Sequence, residues 1–146
     1  MSNPVTVTQR HEFSCGYVMN KELNCKRYRI EATVGLTQEA ENNGSCLILD
    51  FGKFKQYLRS IVPDKTFLIN TTEYCDKAVN AWDNLHEGFT QLGCNVQFVT
   101  YPICTETICQ DLAERLMKEL PNDVLLLKVT LYEDSYSYST WVAEHT

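Results

Sequence analysis

The 146-residue sequence has few histidines and no excess of basic residues. Its three histidines, His11, His86 and His145, lie far apart, so they do not form the closely spaced ligand pairs of a zinc motif. Lysine and arginine total 13 against 19 acidic residues, which gives a formal net charge of −6. Because no basic run offsets this charge, we expect no general binding to nucleic acids or to anionic membranes.

Long apolar runs are also missing from the chain. No stretch approaches the length of a membrane-spanning helix, and the start MSNPVTVTQ lacks the basic and apolar segments of a secretory signal. We therefore expect a cytoplasmic protein. The seven cysteines are an odd number, and their spacing does not match a zinc cluster. Free thiols in a reducing compartment are the favoured interpretation.

Hydrophobic patterns predict alternating strands and helices within one domain, residues 1–146. In the segment that ends at Val34, apolar and polar residues alternate with the period of a half-buried strand. Apolar spacing predicts helices, the last of which begins with a capping box formed by Thr107 and Gln110. The expected strands are 4–19, 28–34, 46–51, 94–101 and 124–142, and the expected helices are 50–62, 77–93 and a segment that ends before Pro121. This order favours an α+β fold, with an antiparallel sheet and helices packed on one face.

Six segments occur in one order along the chain: FSCGY, NKELNCKRYRIEATV, SCLILDFGKFKQYL, PDKTFLIN, YPICTETICQDLAERL and LKVTLYED. In this order they resemble the 6-pyruvoyl- and 6-carboxy-tetrahydropterin synthases over residues 10–140. The resemblance implies the tunnelling fold. It also implies a homo-oligomer, with trimers stacked into hexamers and ligand sites at subunit boundaries.

The residues at the family's zinc site differ in this sequence. Aligned on the resemblance, Tyr17 replaces a zinc-binding histidine, Asn20 replaces the catalytic cysteine, and Asn24 and Lys26 replace two further histidines. An amide is a poor zinc ligand, and an ammonium group adds positive charge where the cation would lie. The resemblance therefore implies a divergent member without zinc.

Other family positions are changed or kept individually. The family's Asp-His, whose histidine belongs to the catalytic relay, corresponds to Asp64-Lys65. The family's Pro-Thr-Ala-Glu-Asn box is reduced to ICTET, which contains Thr105 and retains the glutamate as Glu106. Glu133 matches the carboxylate that holds the guanidine-like edge of a pterin. Such a carboxylate makes two parallel charge-assisted hydrogen bonds. Thr105, Glu106 and Glu133 are the candidate ligand-binding residues.

Two functions from different classes follow from this pattern. The first is a zinc-independent protein that binds a small planar ligand, pterin- or purine-like, through Glu133. If it is an enzyme, Lys65, Lys26, Tyr17 and Asp64 carry out metal-free acid–base chemistry of a lyase, aldolase or cyclase type, with no cofactor. The second is a non-catalytic oligomeric pseudoenzyme with a scaffold or regulatory role. In that case the lysines are ordinary solvated side chains and Tyr17 is a packing residue.

Overall fold

A computed structural model describes residues 5–19, 22–44, 48–71 and 79–144. Within these residues six strands form one sheet, with the spatial order β4-β3-β1-β2-β5-β6. The strands are β1 (Val7–Met19), β2 (Glu22–Leu36), β3 (Lys65–Asn70), β4 (Asn95–Val99), β5 (Val124–Tyr132) and β6 (Tyr138–Val142). The helices are α1 (Gln38–Asn42), α2 (Phe51–Ile61), α3 (Val79–Gln91) and α4 (Thr105–Glu119). In the part of the chain that the structure describes, no helix is long and apolar enough to cross a membrane.

The antiparallel pair β1–β2 forms the centre of the sheet, with pairs running from Val7 and Val34 to Met19 and Glu22. Side chains alternate between the two faces of a strand. On β2 the alternate residues Tyr28, Ile30, Ala32 and Val34 are buried. The period-two pattern predicted this strand and its buried face, and both predictions are confirmed.

Helices α2 and α4 cover the buried face of the sheet, α2 against β1 and α4 against β5 and β6. Phe54, Leu58 and Ile61 recur along α2 at helical spacing and are buried, as their pattern predicted. Helix α4 begins before the predicted capping box, because Cys104 has an extended backbone and is the residue that precedes the first turn. The Thr107 hydroxyl accepts a hydrogen bond from the Cys104 N–H at 3.0 Å. The predicted pairing of Thr107 with Gln110 is therefore wrong, since Thr107 already lies in the first turn.

Helix α3 lies against the opposite face of the sheet. Phe67 on β3 is the pairing partner of Gly16 on β1, and its ring stacks on Phe89 of α3 with 4.1 Å between the centroids. The ring of His86 on the same helix stacks on Phe98 of β4. The expectation that the helices pack on one face therefore holds for α2 and α4 but not for α3. The reason is that Phe67 and Phe98 give this face apolar rings that α3 covers.

The sheet is mixed, whereas the sequence pattern favoured an antiparallel sheet. Strand β3 runs parallel to both β1 and β4, and the remaining neighbours are antiparallel. A parallel pair needs a long crossover connection. Here α2 precedes β3 and α3 lies between β3 and β4, so each strand is entered through a helix.

The predicted strands also differ from the structure in three places. Strand β3 was not predicted, because it is a short run in which five of six residues are buried and shows no alternation. The predicted strand 46–51 is absent from its described part, since residues 48–50 are irregular and α2 starts at Phe51. The predicted strand 124–142 is two strands, because residues 133–137 form the turn between β5 and β6.

Candidate functional site

Lys26 and Glu133 form an ion pair, although they are 107 positions apart in the sequence. Lys26 is the pairing partner of buried Cys15 in the β1–β2 ladder and lies on the same face. Glu133 is the first residue after β5, and its N–H donates to the Ser137 carbonyl at 2.9 Å. The side chains are 38% and 28% exposed, respectively. Strand pairing and a turn therefore hold a cation and an anion together where solvent still reaches both.

The turn that carries Glu133 is stabilised by the next residue. One carboxylate oxygen of Asp134 accepts hydrogen bonds from the backbone N–H groups of Tyr136 and Ser137, each at 2.7 Å. These bonds lower the pKa of Asp134, and the nearby charge of Lys26 lowers it further. Because Asp134 fixes the turn, the backbone of Glu133 has a defined position beside Lys26.

The hydroxyl of Tyr28 lies on the same face of the sheet, two residues after Lys26 along β2. The Tyr28 side chain is 1% exposed, and the side chains of Tyr17 and Thr105 lie beside its hydroxyl. No group in the described ranges makes a hydrogen bond of standard geometry with the Tyr28 hydroxyl oxygen. Burial, together with Tyr17 and Cys15, raises the pKa of Tyr28 well above its usual value. The phenol therefore stays protonated at physiological pH and can donate or accept one more hydrogen bond.

Lys65 and Asp64 lie apart from these residues. Lys65 begins β3 and pairs with Ser14, so its side chain is on the α3 side of the sheet, where it lines a cleft together with Cys25. The Asp64 side chain is 74% exposed, and its carboxylate is 3.6 Å from the Nε2 atom of His11. Within one chain the structure does not bring Lys65 or Asp64 to Lys26.

The two candidate residues at the start of α4 point in different directions. Thr105 lies beside the buried hydroxyl of Tyr28. Glu106 lines a groove of about 360 Å³ between α4 and β6, which also contains Gln110 and Trp141. A hydrogen bond from the Cys104 thiol lowers the pKa of Glu106. Thr105 therefore belongs to the Lys26–Glu133 side of the helix, and Glu106 belongs to the neighbouring groove.

Sequence reasoning missed Tyr28 as a site residue. It was recognised only as a buried strand position, which it is. A signal was present, because residues two apart on a strand share a face, and Tyr28 follows Lys26 by two residues. A buried tyrosine hydroxyl usually has a hydrogen-bond partner. The hydroxyl of Tyr28, on the same face as charged Lys26, was therefore a candidate for ligand contact.

Comparison with solved structures identifies the fold. An uncharacterized protein from Wolinella succinogenes superposes with a TM-score of 0.71 at 15% identity, covering 98% of this chain and 100% of that chain. The 6-pyruvoyl tetrahydropterin synthase of Caenorhabditis elegans superposes with a TM-score of 0.60 at 14% identity, covering 97% of each chain. The chain has the tetrahydropterin synthase fold. The prediction of an α+β tunnelling fold is confirmed, although comparisons of sequence alone matched no family model and no curated protein.

On this fold, the residues at the zinc positions implied by the sequence resemblance do not fit the metal. Tyr17 pairs with Asn24 in the β1–β2 ladder, and the Asn24 amide donates to the Glu22 carbonyl at 3.2 Å. Lys26 is occupied by its ion pair with Glu133. A phenol, an amide and an ammonium group do not supply the usual donors of zinc. Elsewhere in the described residues, no three His, Cys, Asp or Glu side chains are placed to hold a metal ion. Asn20 lies outside the described residues.

Proposed function

We propose that this chain is a tetrahydropterin-synthase-like protein that binds a small planar heterocycle at the Lys26–Glu133 pair, without zinc. The observation that carries the proposal is this ion pair itself, on the same face of β2 as the buried hydroxyl of Tyr28 and two residues from it along the strand. A partly exposed ion pair contributes about 0–1 kcal/mol to stability, so a ligand can open it at low cost. In this proposal residues 1–146 form a single domain with the tetrahydropterin synthase fold.

The chemistry of the pair favours a ligand with a lactam–amidine edge, as in a pterin or guanine. Such an edge presents one carbonyl oxygen next to two N–H groups. Glu133 can accept both N–H groups in parallel charge-assisted hydrogen bonds, while the Lys26 ammonium donates to the carbonyl. Each residue exchanges one hydrogen-bond partner for another, so neither charged group is left without a hydrogen bond when the ion pair opens.

If the protein is an enzyme, its own side chains carry out the acid–base chemistry, without a metal or a cofactor. Tyr17 and Lys26 are the groups on this face that can exchange protons with a bound ligand. Lys65 lies on the other face of the sheet, and Asp64 lies beside His11, away from Lys26, so they reach the site only from a neighbouring copy. A homo-oligomer, trimer or hexamer, with sites at subunit boundaries would bring them there. It would also cover β4 and β6, the two edges of the sheet.

Two matched ligands test the anchor. Pterin carries the 2-amino group that Glu133 would bind, whereas lumazine has a carbonyl oxygen at that position and repels a carboxylate. Calorimetric titration should give pterin at least about 10-fold tighter binding than lumazine. Glu133→Gln should remove this preference, and Glu119→Gln at the exposed end of α4 should keep it. Equal affinities for both ligands, or an unaffected preference in Glu133→Gln, would contradict the proposal.

The metal and assembly parts of the proposal need separate measurements. Protein expressed with added zinc should contain far less than one equivalent by plasma mass spectrometry, and a stoichiometric content would contradict zinc independence. Light scattering coupled to size exclusion should give a mass of three or six chains. A monomer would leave Lys65 and Asp64 outside the site.

A specific observation favours the second function, a non-catalytic pseudoenzyme. Lys26 already neutralises Glu133 in the absence of any ligand, so the pair can serve as a structural link between β2 and the β5–β6 turn. In this case the oligomer forms, neither pterin nor lumazine binds, and Glu133→Gln lowers thermal stability without any effect on ligand binding.

A further inference from the structure

A separate cleft of about 280 Å³ lies on the α3 side of the sheet, the face opposite Lys26 and Tyr28. We call it the α3 cleft. Its volume is close to the lower limit, roughly 300 Å³, of small-molecule sites. The described residues that line it include Gly16, Leu23, Cys25, Lys65, Phe67 and Phe89.

The α3 cleft has apolar walls and a floor that lacks a side chain. A Cβ atom at Gly16 would lie 2.7 Å from the ring of Phe67, so glycine leaves room for that ring at the floor. Phe67 and Phe89 stack to form one wall. On the other side Leu23 is 69% exposed. The ring of Phe67 is buried, so the apolar surface that a ligand can cover comes from Leu23 and from the partly exposed Phe89.

One charge is associated with the α3 cleft. Lys65 is exposed, and it is the single charged side chain among the described residues that line the cleft. An ammonium group at an apolar cleft attracts an anionic group on an otherwise apolar molecule. The lining therefore combines flat apolar walls with one positive charge.

We propose that the α3 cleft is a second binding site, for a small planar apolar anion such as an aromatic carboxylate or sulfonate. The rings of the ligand contact Leu23 and Phe89, and its anionic group pairs with Lys65. This site is independent of the Lys26–Glu133 site because the two lie on opposite faces of the sheet. In this proposal Lys65 binds a ligand in the α3 cleft of its own chain. This role is separate from the one proposed for Lys65 at the Lys26–Glu133 site of a neighbouring copy.

Two fluorescent probes that share a ring system test this proposal. 8-Anilinonaphthalene-1-sulfonate is an anion with an apolar aromatic ring system, and N-phenyl-1-naphthylamine is its neutral counterpart. The sulfonate should bind one site per chain with higher affinity than the neutral amine. Lys65→Gln should weaken the sulfonate about 3- to 10-fold and leave the amine unchanged. Lys53→Gln, on the exposed surface of α2, is the matched control and should change neither probe.

Leu23 provides a variant that tests the apolar wall without disturbing the core. Leu23→Ser should weaken both probes, whereas Leu125→Ser, at a leucine that is 45% exposed on β5, should weaken neither. Circular dichroism and thermal melting verify that each variant is folded. Equal sulfonate affinity in the wild type and Lys65→Gln, or equal effects of the two leucine variants, would overturn the proposal.

Thiol labelling locates the bound probe. Cys25 is exposed and lines the α3 cleft, and Cys104 lies outside it at the start of α4. The sulfonate should slow iodoacetamide labelling of Cys25 but not of Cys104, as read by peptide mass spectrometry. Protection of Cys25 that rises with protein concentration alone would instead assign the cleft to a second copy of the chain and overturn the proposal. A Glu133→Gln variant should keep the protection, which separates failure here from failure of the heterocycle site.

Discussion

The ammonium group of Lys26 and the carboxylate of Glu133 are ion-paired between β2 and the turn after β5. Lys26 stands at a position where the sequence resemblance implies a zinc-binding histidine, and Glu133 stands where it implies a ligand anchor. The cation at this place is therefore a side chain with its own counter-ion. Under the proposed function, a ligand that binds Glu133 displaces Lys26, so the strength of the pair affects ligand binding.

A double-mutant cycle measures that strength. Lys26→Met, Glu133→Gln and the double variant should give a coupling free energy of at most about 1 kcal/mol, because both side chains are partly exposed and solvent screens their attraction. Urea denaturation gives the four free energies of unfolding. A coupling above about 3 kcal/mol would be typical of a buried structural pair, and it would favour the pseudoenzyme over a site that opens for a ligand.

Two glycines form a matched pair for a stability test. Gly16→Ala places a Cβ atom 2.7 Å from the Phe67 ring, and that ring is buried and stacked on Phe89. Overpacking of this kind should lower the free energy of unfolding by about 1–3 kcal/mol. At Gly88 in α3 a Cβ atom would meet nothing within 4 Å, so Gly88→Ala should raise stability by about 0.5–1 kcal/mol. Urea denaturation that gives the same sign for both would contradict this packing.

Asp134 should make stability depend on pH in the acid range. Its backbone hydrogen bonds lower the pKa in the folded protein below the value of about 3.9 that is usual for unfolded chains. The carboxylate therefore stabilises the fold above pH 3.9, and this contribution is lost as the pH falls through the lower folded pKa. Asp134→Asn should be less stable than the wild type at pH 6, and the difference should shrink below about pH 4.

Thermal unfolding at several pH values measures this difference. Asp83→Asn, at an exposed aspartate on α3, controls for the removal of one carboxylate. A constant difference between the wild type and Asp134→Asn from pH 6 to pH 3 would show that the turn does not depend on the charge of Asp134.

Regular patterns explain which parts of the fold could be predicted. The alternation that ends at Val34 and the helical spacing of Phe54, Leu58 and Ile61 each reflect one buried face of one element. Strand β3 and the turn at residues 133–137 were not anticipated. The first is buried on both faces and has no alternation. The second falls on the short polar run Glu133, Asp134 and Ser135, a turn signal between two segments of strand-forming residues that the prediction joined into one strand. Parallel pairing of β3 with β1 is a long-range choice that no local pattern contains.

The sequence by itself determined most of the α+β elements, and it carries Tyr17, Asn24 and Lys26 at positions where the resemblance to tetrahydropterin synthases implies zinc ligands. These follow from residue identity and spacing, which are local properties. Only the tertiary structure decided that Lys26 pairs with Glu133 and that Lys65 lies on the other face. The reason is physical: the face on which a side chain lies depends on strand register, and a change of one residue in register reverses that face.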